Sequence, residues 1–460
     1  MIKKLVSLMM VLAMSISLVA CGGTDKAPES KPTDKAAEPT KTTEVEKKGK
    51  LVVWTLAADL QQFSEHYMEL NKGVEIETVV IAPADYPAKV QSALLGGETE
   101  PDIIVGEPQM LENMYEAGFF EDLNKAPYNA QDYKDKIVDY VWDVGQDKDG
   151  IQRAISYQIT PAGIYYRRDI AEKVFGTSDP VEIGKLFADY NTILSTGDKL
   201  KKAGYKIFAS DGEMGPFSGD TAWVVDGKLN VDQARYDYMD LCTKLYQNEY
   251  TAFAAQWSSP WYQAMGGKVP ILKADTNVWD KDALEEASKN AEMTEVFAYG
   301  LPAWGVLVMR DNYKDTAGKW AVCSGPAYGF GGGTYIGISA QSKRKELAWD
   351  YLKFCTLTED TMEWWIKKSE GDTVSYIPTL EKHAEDKNEV YGGEQLYKFW
   401  LEQAKGIDYS KVTKYDTVIG DAWSAAITSI KTGEKKKDAA INEFYDLVES
   451  TYPEITVERK

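Results

Sequence analysis

WAVCSGPAYGFGGGTYIGISAQSKRKELAWDYLKFCTL, residues 320–357, is the stretch around which the rest of the chain is organised. Two short β-prone runs, residues 320–323 and 335–338, flank a loop whose glycines interrupt regular structure. Ser342 is predicted to cap the helix that follows. The apolar residues of that helix recur at helical spacing and predict one buried face: Leu347, Ala348, Tyr351, Leu352 and Cys355. The glycine loop is either a tight turn between core strands or an open backbone that can contact a ligand.

Length and composition exclude several classes of function. At 460 residues the chain is about three times as long as a typical domain, so two sizeable lobes are expected. The formal net charge of −20 argues against nucleic acid as a partner. The two histidines, His66 and His383, leave little for a histidine-based catalytic triad or a zinc site, and no cofactor or metal is predicted. The 13 tryptophans suit either a large core or the flat apolar faces that bind sugars.

The N-terminus has the pattern of a bacterial export signal. Lys3 and Lys4 precede an apolar run over residues 5–20, which is too short to span a membrane comfortably. Cys21 follows directly, in an arrangement that resembles the lipobox of bacterial lipoproteins, where the cysteine becomes the lipidated N-terminus. The alternative is a plain signal peptide with an incidental cysteine. We therefore expect a signal peptide at residues 1–20, and a lipidated cysteine with a disordered tether at residues 21–49, where large apolar residues are scarce.

The remaining cysteines are odd in number and lie in apolar patterns. Cys242, Cys323 and Cys355 are therefore predicted as buried thiols rather than as a disulfide framework. A Cys323–Cys355 bridge stays possible because both residues belong to the same predicted unit.

After the tether, strand and helix patterns alternate. Strands are predicted at residues 51–56, 74–81 and 102–106, and helices at residues 60–70, 86–95 and 110–117. This alternation predicts an α/β fold with a doubly wound, mostly parallel sheet. Ligands of such sheets bind beyond the carboxyl ends of the strands, where Trp54 and Glu107 lie. Glu107 could instead be a charge that favours the N-terminus of a helix.

Three segments in this order resemble the N-terminal lobe of family 1 extracellular solute-binding proteins, the maltose-type receptors of ABC importers. They are LVVWTL (residues 51–56), GVEIETVVI (73–81) and AKVQSALLGGETEPDIIVGEPQMLENMYEAGFFEDLN (88–124). GIQRAISYQITPAGIYYRR (150–168) resembles the family's passage into a second lobe and implies a crossover at residues 157–161. The resemblance covers nearly all of residues 50–455.

The resemblance implies a two-lobed, periplasmic-binding-protein-like fold of type II. Each lobe is expected to hold a mostly parallel sheet flanked by helices, with the ligand cleft between the lobes. Lobe I is expected at residues 50–158 and 320–357, and lobe II at residues 159–319 and 358–460. Lobe II helices are predicted at residues 181–194, 232–248, 395–404, 421–431 and 438–449, with a strand at residues 206–209. Trp364 and Trp365, in the middle of a helix, are predicted to pack in the core or at the hinge.

Further ligand-facing residues are implied by the family's pattern. Segments QWSSPWYQAM (256–265) and LPAWGV (301–306) resemble the family's ligand-facing aromatic segments, although any one tryptophan could equally be core. The family's equivalent of the glycine loop lies at the mouth of the cleft. The complete set of predicted ligand residues is Trp54, Glu107, Trp223, Trp257, Trp261, Trp304, Gly332, Gly333, Tyr335 and Trp423, and no catalytic residue is predicted.

The predicted function is that of a lipid-anchored receptor on the outer face of a bacterial cell membrane. It would bind a carbohydrate, expected to be an oligosaccharide, and deliver it to the transmembrane permease subunits of an ABC transporter. One alternative is a secreted carbohydrate-active enzyme, but no pair of carboxylates at strand ends stands out as a glycosidase would require. The other is the same fold with a peptide, polyamine or metal chelate as ligand.

Overall fold

The computed structural model describes residues 47–83 and 85–459, so Cys21, the signal peptide and most of the predicted tether lie outside the described residues. The described part contains no helix with the length and apolar character needed to cross a membrane. Its strands are β1 Gly49–Thr55, β2 Val74–Val80, β3 Ile103–Gly106, β4 Ala154–Ser156, β5 Ala162–Arg167, β6 Lys206–Phe208, β7 Val224–Val225, β8 Lys228–Leu229, β9 Lys268–Pro270, β10 Met293–Pro302, β11 Trp320–Cys323 and β12 Tyr335–Ile338.

The α-helices alternate with these strands in the first lobe and dominate the C-terminal part. They are α1 Asp59–Leu70, α2 Tyr86–Leu95, α3 Pro108–Glu116, α4 Asp139–Val144, α5 Arg168–Phe175, α6 Pro180–Gly184, α7 Tyr190–Lys202, α8 Gln233–Gln247, α9 Ser259–Met265, α10 Lys281–Ser288, α11 Gly305–Asn312, α12 Lys345–Thr356, α13 Glu359–Ser369, α14 Ile377–Lys382, α15 Leu396–Ala404, α16 Asp416–Lys431 and α17 Lys437–Thr451. The remaining described segments are loops, turns and short 3-10 helices.

The first sheet has the strand order β2-β1-β3-β12-β4. Strand β1 pairs in parallel with β2 and with β3, whereas β12 runs antiparallel to both β3 and β4. Ile103, Ile104 and Val105 of β3 are fully buried, as a strand covered on both faces requires. The sheet is mixed rather than mostly parallel. The chain reaches β12 from the other lobe, and not through a helix that packs on the same sheet and would bring the next strand back in parallel.

The second sheet has the strand order β11-β5-β10-β6, with β9 paired to one end of β10. Strand β10 is antiparallel to β5 and parallel to β6, so this sheet is mixed as well. Residues 157–161 connect β4 of the first sheet to β5 of the second, at the position of the predicted first crossover.

Strand β11 corrects the expected division of the chain. We expected residues 320–323 to begin the return to the first lobe, but Ala321 and Val322 pair with Tyr166 and Tyr165 in the second sheet. All four residues of β11 are buried there. The chain therefore passes back to the first lobe only after β11, through the glycine loop, and reaches it at β12.

Two local predictions about helices are wrong. The helix expected over residues 181–194 is interrupted at Asp189, whose extended backbone and side chain, accepting the Thr192 N–H at 2.9 Å, start the new helix α7. Ser342 does not cap α12, which begins at Lys345. Its hydroxyl instead donates to Asp102 at 2.6 Å and ties the turn to the start of β3.

Apolar side chains form three clusters, and the largest runs continuously beneath both sheets. The second cluster packs on the other face of the second sheet, and the third lies among α8, α16 and α17. Cys242, Cys323 and Cys355 are free buried thiols, which confirms that prediction and shows no Cys323–Cys355 bridge.

Helix α13 joins the first lobe, although residues 358–460 were expected in the second. The ring of Trp365 is buried, lies 4.8 Å from the ring of Phe63 on α1, and donates a hydrogen bond from Nε1 to Asp372 at 2.9 Å. Trp364 stacks on His66 of the same helix α1 with ring centroids 4.2 Å apart. Trp365 thus belongs to the core, as predicted, and Trp364 packs against the same core cluster.

Candidate ligand site between the lobes

The glycine loop lies between a tryptophan of one lobe and a carboxylate of the other. Trp304, just before α11, donates a hydrogen bond from Nε1 to the carbonyl of Gly331 at 2.9 Å. Gly332 has a φ of +67°, a left-handed conformation that glycine adopts without penalty. A Cβ on Gly332 would lie 3.5 Å from Trp304 Nε1 and 3.9 Å from Glu107 Oε1. Three of the predicted ligand residues, Trp304, Gly332 and Glu107, are therefore brought together.

Trp257 extends this group into an aromatic wall. Its ring stacks on that of Trp304, with centroids 5.9 Å apart and planes inclined by 28°. The side chain is 42% exposed, so one face of the wall is open to solvent. The backbone of Trp257 has a φ of 69°, which is uncommon for a bulky residue.

Trp261 supports this wall from behind and does not face the cleft. It is fully buried, and its ring lies 4.8 Å from that of Trp257. Its Nε1 donates to Glu213 Oε1 at 2.6 Å. The prediction of Trp261 as a ligand contact is wrong because the first turn of α9 directs its ring into the core.

Glu213 was not predicted from the sequence, and no local pattern marks it. The residue is fully buried, and burial raises the pKa of its carboxyl to about 8, although the hydrogen bond from Trp261 acts in the opposite direction. Its second oxygen, Oε2, has no hydrogen-bond partner among the described residues. A neutral carboxyl in this position anchors the Trp261 indole beneath the exposed wall.

Glu107 directly follows β3 and precedes the first turn of α3. Its carboxylate does not cap the helix; it accepts a hydrogen bond from Gln109 Nε2 at 2.6 Å. Burial raises the pKa of Glu107, which the Gln109 contact partly offsets. Gln109 was missed by the sequence analysis, but its place two residues after a strand-end carboxylate could have indicated it. The two side chains present an acceptor and a donor side by side.

A cavity of about 260 Å³, which we call the cleft cavity, is lined by both lobes and by the glycine loop. Pro108 and Gln109 come from α3 and Gly332 from the loop, while Trp223 and Arg235 come from the second lobe. The Arg235 guanidinium lies 3.8 Å from the centre of the Trp223 ring and covers that face. Trp223 therefore lines the cavity, but the Arg235 guanidinium already covers one face of its ring.

Of the predicted ligand residues, only Trp223 and Gly332 line this cavity; Glu107, Trp257 and Trp304 lie beside the glycine loop but not in the cavity wall, and the remaining candidates lie away from it. Trp423 is 3% exposed and packs edge-on against Phe444 at 5.0 Å in the third apolar cluster, so the prediction that it reaches the cleft is wrong. Tyr335 is likewise buried, and burial raises its pKa well above the ordinary value. Trp54 is half-buried against the first cluster and does not line the cleft cavity. Gly333, with a φ of +131°, makes room for the Tyr335 ring, which would lie 3.0 Å from an added Cβ.

The described residues contain no group of three or more histidine, cysteine or acidic side chains placed to hold a metal ion. The polar groups at the cleft are a carboxylate, an amide, an indole N–H and exposed backbone. Together with the aromatic wall, these groups suit a ligand that has both hydroxyls and flat apolar faces.

Solved structures with the same architecture are numerous, and three are representative. An extracellular solute-binding protein of family 1 has a TM-score of 0.69 at 18% identity, with 87% of this chain and 99% of that chain covered. The GacH receptor of Streptomyces glaucescens gives 0.66 at 14% identity, covering 89% and 100%. The galacto-N-biose-/lacto-N-biose I-binding protein of Bifidobacterium longum gives 0.66 at 13% identity, covering 89% and 99%. These likenesses establish the two-lobed fold.

Sequence comparison identifies the family directly. No curated protein sequence matches the chain significantly. Residues 62–391, well over half of the chain, match the sequence family described as bacterial extracellular solute-binding protein. The chain therefore belongs to the bacterial extracellular solute-binding proteins.

Proposed function

We propose that the protein binds a carbohydrate in the cleft between its lobes and presents it to the permease of an ABC transporter. The observation that carries this proposal is the meeting of the Trp257–Trp304 wall with the Glu107–Gln109 pair at the glycine loop. An aromatic ring that stacks on the C–H face of a sugar contributes about 0.5–1.5 kcal/mol beyond area burial, by analogy with aromatic pairs. The carboxylate and amide then pair with hydroxyls, and an unpaired buried polar group costs about 1–3 kcal/mol, which makes the contact selective.

The solved relatives support a sugar as ligand. The GacH receptor was crystallised in complex with acarbose, and the Bifidobacterium longum protein in complex with lacto-N-biose. We further propose two lobes divided as expected from the sequence, except that β11 belongs to lobe II and α13 to lobe I. Closure of the lobes about residues 157–161 would couple ligand binding to permease docking.

Thermal-shift and calorimetric screening of the purified protein tests the ligand class. Neutral oligosaccharides of several linkages should raise the Tm and bind saturably, because a ligand that binds only the folded state stabilises it. Peptides and polyamines should leave the Tm unchanged. A Tm rise with those ligands alone would refute the carbohydrate proposal, and conversion of the bound sugar into products would show an enzyme instead.

We also propose that Cys21 carries a lipid that anchors the protein at the outer face of the cell membrane. The lipobox-like residues before Cys21 support this, as does membership of an extracellular family. The substitution Cys21→Ser should leave the protein unprocessed or release it into the medium, as measured by fractionation of expressing cells. Unchanged retention in the membrane fraction would contradict the proposal.

A further inference from the structure

A second and larger cavity adjoins the cleft cavity. We call it the outer chamber; its volume is about 900 Å³, and it shares Pro108 and Val412 with the wall of the cleft cavity. Its floor is formed by α3 and residues 143–153 of the first lobe, and its roof by residues 409–413 of the second. Small-molecule sites span about 300–1,000 Å³. The cleft cavity alone falls below that range, whereas the outer chamber lies near its upper end.

The roof of the outer chamber is held to its floor by one residue. Lys414 donates from its backbone N–H to Glu112 at 2.8 Å and from Nζ to Glu116 at 2.9 Å. Its carbonyl accepts a hydrogen bond from Asn113 Nδ2 at 3.4 Å. All three partners lie on α3 of the first lobe. The outer chamber is therefore completed by contact between the lobes.

The lining of the outer chamber combines flat rings with free carboxylates. Tyr115 and Tyr409 line it from opposite lobes. The carboxylate of Asp147 is paired with Arg153 at 2.8 Å. The carboxylates of Asp143 and Asp149, by contrast, take part in no hydrogen bond or ion pair with a described residue. Rings of this kind stack on sugar faces, and free carboxylates accept hydrogen bonds from hydroxyls.

The charge of the lining selects against one class of sugar. Acidic side chains outnumber basic ones in the chamber wall, where Lys148 and Arg153 are the only cations among the lining residues. The acidic residues of that wall are Glu112, Glu116, Asp143, Asp147 and Asp149. Like charges repel strongly in a partly enclosed site. A uronate, sulfate or phosphate on the ligand would therefore be disfavoured.

We propose that the outer chamber is a second sugar subsite, and that the ligand is a neutral oligosaccharide running from the cleft cavity at the glycine loop, past Pro108, into this chamber. The inference rests on the proposed carbohydrate function and specifies its substrate. Mono- and disaccharides fill only the cleft cavity, and anionic oligosaccharides are excluded.

Calorimetry with neutral oligosaccharides of increasing length, from one to six sugar units of the linkage that binds, tests this inference on the full-length protein. Wild-type affinity should rise with length. Tyr409→Ala and Asp143→Asn should each lower the affinity for the longest ligands about tenfold and leave the shortest ligands unchanged. Asp143→Asn preserves the side-chain volume, so it keeps the test valid if Tyr409→Ala is unstable. A uronate-bearing counterpart should bind at least tenfold more weakly than the neutral ligand.

Lys405→Ala is the matched control, because Lys405 is exposed and pairs with Glu402 on α15, outside the chamber lining. It should bind all ligands as the wild type does. Equal wild-type affinity for short and long sugars, or equal losses at every length in the two chamber variants, would refute the second subsite while the carbohydrate function stands. Failure of every sugar to bind would refute both.

Discussion

Trp304 connects the aromatic wall to the glycine loop, so two substitutions separate its two contacts. Trp304→Ala removes both the ring and the hydrogen bond to Gly331, and the affinity for sugar should fall about tenfold or more. Trp304→Phe keeps a ring but loses the N–H donor, so an intermediate affinity is expected. Calorimetry measures both. Trp279→Ala, at a tryptophan that is 65% exposed, is the control and should bind normally; equal losses at both tryptophans would contradict the assignment.

Glu213 makes folding stability depend on pH. Its carboxyl has a pKa of about 8 in the folded protein against an ordinary value of 4.5, because burial disfavours the charged form. Folding therefore takes up a proton between these two pH values, and stability should fall as the pH rises from about 5 to 8. In Glu213→Gln the decline of Tm over this window should be smaller than in the wild type. Parallel Tm curves for the two proteins would show that Glu213 does not carry the effect.

Whether a given aromatic side chain faces ligand or core could be predicted only in part. Trp304 was placed near the ligand because proline and glycine neighbours indicate a loop, and the structure brings its ring to the cleft. Trp261 and Trp423 lie in helices, where the position of a residue around the helix axis decides whether its side chain faces the cleft or the core. Both side chains are buried. Glu213 was missed because its partner, Trp261, lies 48 residues away in the sequence. Gln109 lies only two residues after its partner, Glu107, and that spacing could have indicated it.

A substitution in the glycine loop can separate the effect of backbone conformation on stability from the effect of a ligand contact on affinity. Gly332→Ala places a side chain in the left-handed region, at a cost of about 1–2 kcal/mol, and its Cβ would lie beside Trp304 and Glu107. Gly227→Ala is a matched control: its φ is +73°, and nothing lies within 4 Å of the added Cβ. Both variants should lose similar stability in denaturant unfolding. Only Gly332→Ala should lose sugar affinity, and equal affinity in the two variants would make this loop a simple turn.

Elements with strong local signals were predicted well. The helix α2, for instance, has the bounds that its apolar pattern indicates, and β5 follows the predicted crossover. The helix over residues 181–194 was wrong because the apolar spacing continues across Asp189, where a capping side chain restarts the helix. The partner of β11 could not be predicted, because a short buried strand carries no information about which sheet it joins.

Contact between the lobes through Lys414 should influence how far the unliganded molecule opens. The Lys414–Glu116 ion pair is partly exposed, and a pair of this kind contributes about 1 kcal/mol, which is enough to change the populations of two similar states severalfold. Lys414→Ala should therefore increase the radius of gyration of the free protein, measured by small-angle X-ray scattering, and the difference should disappear at saturating ligand. High salt should act in the same direction on the wild type by screening the pair. An unchanged radius in the free variant would show that Lys414 does not affect opening.

The position of β12 has a consequence for when the chain can fold. Strand β12 lies between β3 and β4 in the first sheet, and β4 pairs with no other strand of that sheet. During synthesis from the N-terminus, β3 keeps an unpaired edge until the ribosome has passed residue 338 of 460. The interleaved order of the strands therefore delays completion of the first sheet until most of the chain has been synthesised.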